Sequence, residues 1–98
     1  MEITMNRIDN ELTVALEGRL DTLTSPELEE KLGPALQGVE KLIFDFEKLQ
    51  YISSAGLRVL LSAMQIMEDQ GTMVVRNVCE EVMDVFQITG FVEDLNIE

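Results

Sequence analysis

The chain has 98 residues, 46% of them hydrophobic and 27% charged, with 19 acids against 7 bases for a formal charge of -12. That length favours a single α/β-sized domain over residues 1–98, able to bury a core without staples. The bases lie singly along the chain, which excludes a binder of nucleic acid or of an anionic membrane surface, since both need clustered Lys and Arg.

In chain order, residues 2–8 alternate, with Ile3, Met5 and Arg7 on one face, and residues 12–16 alternate again through Leu12, Val14 and Leu16. Asp9-Asn10 between them supplies turn chemistry, so the two runs read as a β-hairpin. Thr24-Ser25-Pro26-Glu27 is a helix-start signal. Ser25 is the expected cap, Pro26 suits the first helical position and Glu27 meets the positive end of the dipole. Leu28, Leu32, Ala35 and Leu36 continue that helix at one-face spacing, and Gly33-Pro34 predicts a kink or an early stop.

The apolar run 41–46 has the length and composition of a buried strand. A short loop then leads to the clearest helix, 54–70, with Leu57, Leu60, Leu61, Met64 and Met67 in one stripe and Arg58, Ser62, Gln65 and Asp69 opposite. Gly71 is the expected C-terminal stop and 72–76 a further strand. Asn77 is the expected cap of a last helix carrying Cys79, Val82, Met83 and Phe86 and ending at Gly90, after which 91–97 adds a short turn. The order β-β-α-β-α-β-α, with a βαβ crossover through 41–76, predicts a mixed four-stranded sheet with helices packed mainly on one face.

Several chemistries are absent. Without histidine, Ser-His-Asp and Cys-His catalysis and the usual zinc sites have no ligand or base. No phosphate-cradling glycine motif occurs. Carboxylates are plentiful, but a domain of this size leaves little room for a deep cleft lined by a catalytic pair of them. The expectation is therefore a protein that is not an enzyme and needs no cofactor and no metal. Cys79 is the only cysteine, so no internal disulfide forms, and it reads as a small buried hydrophobe. No basic segment precedes an apolar leader, and no apolar run nears the ~20 residues of a membrane span. A cytoplasmic location is the expectation, with no membrane partner. The acidity serves either solubility or attraction to a basic protein.

The segment Ser53-Ser54-Ala55-Gly56-Leu57-Arg58 follows a strand and opens the best helix. Two readings stand. A serine there is a favoured N-cap. It is also a place where a phosphate fits, because the helix end offers unpaired N–H groups and about half a positive charge. Gly56 costs the helix up to ~1 kcal/mol relative to alanine, so something approaches its backbone closely, either a partner or the sheet.

The chain resembles the STAS domain family of anti-sigma factor antagonists and sulphate-transporter tails. The resemblance rests on Ile43-Phe-Asp-Phe46 with Tyr51-Ile-Ser-Ser-Ala-Gly-Leu57, supported by Gly18-Arg-Leu-Asp21 and Ile88-Thr-Gly-Phe91. It implies an anti-sigma factor antagonist that binds an anti-sigma factor serine kinase, is switched off when that kinase uses ATP to phosphorylate a serine, and is reset by a serine phosphatase. It places the phosphoacceptor on Ser54, with Ser53 the second choice, because many members carry an acid where this chain has Ser53. It places the partner surface on Asp21, Ser53, Ser54, Ala55, Gly56, Leu57 and Arg58. Asp21 reads equally as a turn-capping carboxylate, and Arg58 reads slightly better as a solvated helix position. The alternative function is an unphosphorylated scaffold subunit of a transport or signalling complex.

Overall fold

The computed structural model describes residues 1–98. The paired alternating runs form β1 (Glu2–Ile8) and β2 (Glu11–Leu20), joined by a two-residue turn in which Asp9 takes a left-handed φ of 54°. Their antiparallel register sets Ile3, Met5 and Arg7 opposite Leu16, Val14 and Leu12, so the apolar members of both runs share one face. Helix α1 (Ser25–Ala35) leads to β3 (Lys41–Ile52), and α2 (Ser54–Glu68) leads to β4 (Thr72–Arg76). The chain closes with α3 (Glu80–Thr89) and the short α4 (Phe91–Asp94). The sheet order is β1-β2-β3-β4, with β2, β3 and β4 mutually parallel. The predicted mixed sheet is thus present. It contains two parallel crossovers, through α1 and through α2, where the sequence suggested one.

A single cluster of 22 buried apolar residues fills the space between one sheet face and the helices. Leu12, Val14, Leu16, Leu42, Phe44 and Val75 come from the sheet, Leu28, Leu32 and Leu36 from the α1 segment, Leu57, Leu60 and Met67 from α2, and Val82 and Phe86 from α3. Ile43 and Val74 are also buried, as cross-strand partners on the opposite face.

Strand β3 is twice as long as the apolar run that announced it, and it reaches Ile52 with no loop before α2. Its pairing with β2 slips twice, between Ala15 and Glu17 and between Gly18 and Arg19. Each slip inserts an extra β3 residue, the signature of a β-bulge. Across the bulges the buried positions fall at Phe46, Leu49 and Ile52, a spacing of three that hides a strand from a search for alternation.

Three end signals resolve differently from expectation. Ser25 is the first residue of α1 rather than its cap, and its buried hydroxyl has no hydrogen-bond partner. Pro34 falls in the final turn and the helix stops one residue later, the early stop that Gly33-Pro34 predicted. Asn77 does not cap α3, which starts after Cys79. Asn77 instead adopts a φ of 58° and donates its side-chain amide to Asp45 Oδ1 at 3.0 Å. Helix α2 ends at Glu68, and Gly71 acts by size: a Cβ there would sit 1.9 Å from the Glu40 carbonyl oxygen. Gly90 closes α3 in the left-handed conformation, as the sequence predicted.

Candidate functional site

Parallel strands β2 and β3 deliver their carboxyl ends to the same sheet edge, where ligands and partners of open α/β sheets commonly dock. There the Ser53 N–H donates to the Leu20 carbonyl at 2.9 Å. That bond fixes the start of α2 beside the loop that starts α1.

Ser53 is the extended N-cap of α2, yet its side chain makes no capping bond, and its Oγ is buried without a partner. Ser54 is the first helical residue and is exposed. The N–H groups of Ser54, Ala55 and Gly56 precede the first intrahelical donor, Leu57, whose N–H reaches the Ser53 carbonyl at 3.0 Å. No acidic side chain lies in this first turn. The edge therefore presents one accessible hydroxyl at the positive end of a 15-residue helix.

Gly56 and Leu57 turn inward. A Cβ on Gly56 would stand 2.7 Å from Ile52 Cγ1 and 2.9 Å from Leu20 Cγ, so the glycine exists because the helix is pressed against the sheet. Leu57 is a core residue. The resemblance placed both on the partner surface, but both are buried. Ala55 is half-buried, and Arg58 is exposed one turn beyond Ser54.

Asp21 heads the neighbouring loop. Its Oδ1 accepts the N–H groups of Leu23 at 3.0 Å and Thr24 at 3.1 Å. Its own N–H donates to Thr24 Oγ1 at 2.9 Å, and its carbonyl accepts the Ser25 N–H at 2.9 Å. Thr24 Oγ1 in turn donates to the Arg19 carbonyl at 2.7 Å. The Thr24 N–H, followed by the Leu23 N–H, the Thr24 hydroxyl and the charge of Arg19, holds the Asp21 carboxyl below the ordinary aspartate range, against a desolvation that acts the other way. The turn-capping reading of Asp21 is what these bonds describe.

That turn carries two features the sequence reading did not single out. Leu23 is 89% exposed, on the turn where its N–H donates to Asp21. Arg19 lies 3.9 Å from Asp21 Oδ2 and stacks over Tyr51, its guanidinium carbon 4.3 Å from the ring centroid. The register pairs Arg19 with Tyr51, and the bulges that create this pairing are invisible in the sequence alone. A groove of about 560 Å³ runs between the two helix starts, bordered by Ser25, Pro26 and Glu29 on one side and Ala55, Arg58 and Ser62 on the other. No group of His, Cys, Asp or Glu side chains is arranged to hold a metal ion, and no helix is long and apolar enough to cross a membrane.

The STAS domain model matches residues 2–98. The chain belongs to the STAS domain family. It is 39% identical over 93 residues to BtrV of Bordetella bronchiseptica, provisionally named an anti-sigma factor antagonist, covering 93% of this chain and 80% of that one. It is 26% identical over 98 residues to the anti-sigma-B factor antagonist of Bacillus subtilis, covering 99% and 90% of the two chains. Among solved structures it is similar to Bacillus SpoIIAA, an anti-sigma factor antagonist. The unphosphorylated form superposes with a TM-score of 0.79 at 21% identity, covering 99% of this chain and 87% of the other. The phosphorylated form gives 0.77 at 22%, covering 99% and 91%. These two likenesses confirm the STAS fold, a four-stranded mixed sheet with its helices.

Proposed function

We propose that this STAS protein is an anti-sigma factor antagonist that acts by binding, and that phosphorylation of Ser54 by its anti-sigma factor kinase switches the binding off. The observation that carries the reading is the contrast between adjacent serines: the Ser54 hydroxyl is open to solvent, and the Ser53 hydroxyl is buried beneath it. The names of the curated relatives support the partner class.

In this mechanism the Ser54 hydroxyl loses its proton and takes the γ-phosphoryl of ATP, with ADP as leaving group. The product carries about -1.5 to -2 charge at neutral pH. The free N–H groups at the start of α2 and the helix dipole accommodate that charge, so the fold survives it. The partner meets a new anion at the centre of its docking edge, and a misplaced charge in an interface costs several kcal/mol. A serine phosphatase reverses the change. Asp21 keeps the adjoining loop in shape for docking, and Ala55 and Arg58 complete the surface.

Titration of the anti-sigma factor kinase with wild-type protein and with Ser54→Asp tests the reading. The aspartate variant is expected to bind at least ~tenfold more weakly. Its stability is expected to stay level or rise by up to ~1 kcal/mol, because an anion at a helix amino end is favourable. Ser54→Ala is expected to bind like wild type. Equal affinities for wild type and Ser54→Asp would refute the switch.

A further inference from the structure

Four arginines occur in the chain, and three have polar partners. Arg7 donates to the carbonyls of Asp9 and Gln37, Arg19 stacks on Tyr51 beside Asp21, and Arg76 pairs with Glu98 at 2.8 Å. Arg58 alone makes no hydrogen bond and no ion pair, in a protein with 19 carboxylate side chains. Glu29 borders the same groove from α1 without pairing with it. An exposed guanidinium left free in so acidic a chain is available for another anion.

Its position identifies that anion. Arg58 follows Ser54 by four residues on the unbroken helix α2, and both are exposed. Residues at this spacing are neighbours on one helix face, ~5–6 Å apart at Cβ, and the order of anion first and cation four residues on is the favourable one. The planar guanidinium fork matches phosphate geometry and forms two parallel bonds to it.

We propose that Arg58 closes on the phosphoryl group of phosphorylated Ser54, donating its N–H groups to the phosphate oxygens. The inference rests on Ser54 being the acceptor. Phosphorylation then does two things at once. It adds an anion to the docking edge, and it withdraws that edge's one unpaired arginine from the partner. The charged groups around the clamp are Glu29 across the groove, Asp21 on the β2–α1 loop and Arg19 beside Asp21. Arg19 is already engaged by Tyr51 and Asp21, which leaves Arg58 as the available cation on the helix itself.

The test uses full-length protein with phosphoserine installed at position 54 during synthesis, so it does not depend on any kinase. The second ionisation of the phosphate, near pH ~6 in free phosphoserine, is followed by phosphorus NMR. A cation that favours the dianion lowers this pKa. The expected result is a value in the Arg58→Gln variant about 0.2–0.4 unit above that of the protein with Arg58 intact, the size of a helical ion pair at this spacing. Arg58→Lys is expected to recover part of the shift. Both substitutions change an exposed side chain with no partners, so the fold stays intact. An identical second pKa with and without Arg58 would overturn the clamp. Failure of the kinase to modify Ser54 would instead sink the acceptor assignment and leave the titration to judge the clamp.

Discussion

Helices α1 and α2 start side by side at one sheet edge, and their amino ends are built in opposite ways. At α1, the Asp21 carboxylate and the carbonyls of Asp21 and Thr24 take up the N–H groups of residues 23, 24, 25, 27 and 28, and Glu27 sits in the first turn. At α2, no side chain caps the helix and no acid lies in its first turn. A helix end satisfied by its own loop is structural. One left open, with a hydroxyl at its first position, is a place for an incoming group. Under the proposed function the two ends have different jobs: the Asp21 turn shapes the surface, and phosphorylation of Ser54 changes its charge.

The largest effect expected from breaking this arrangement is at Gly56. Its replacement by alanine drives a methyl into Leu20 and Ile52, both fully buried. The gain in helix propensity is outweighed by overpacking, and urea unfolding is expected to show a loss of about 1–3 kcal/mol. Next is Leu23→Ala. A leucine so exposed contributes little to the fold, so stability is expected to hold. Partner affinity is expected to fall by about 1–2 kcal/mol, measurable by calorimetry, if Leu23 anchors the docked kinase.

The Asp21 turn gives a pH signature. A carboxyl held below its unfolded value of ~3.9 contributes stability that is present above that pH and is lost as pH falls through the lower folded value. Wild-type protein is therefore expected to lose stability more steeply than Asp21→Asn on acidification below pH ~4, followed by denaturant melts at stepped pH. The smallest effect is expected from Arg19→Ala, about 0.5 kcal/mol from an exposed cation–π stack, visible as a small shift of the urea midpoint.

The fold was legible where periodicity was regular. The β1–β2 run alternates, and the apolar stripe of α2 repeats at helical spacing, so both were readable from residue type. Residues 47–52 were not, because two bulges reset the register and turned a two-residue period into steps of three. Gly56 was legible as a close approach but not as to what approaches; only packing shows Leu20 and Ile52 beneath it. Capping preference alone did not separate the two serines, since it does not record which hydroxyl the chain buries; the family resemblance ranked Ser54 first. Asn77 carried a cap signal that tertiary structure overrode, spending its side chain on Asp45 instead.

The measurement that bears most directly on the central claim is mass spectrometry of the protein after incubation with the anti-sigma factor kinase proposed as its partner and Mg-ATP. One phosphate on Ser54, absent from Ser54→Ala, is the result this account predicts. Phosphate on Ser53, or none on either serine, would contradict it.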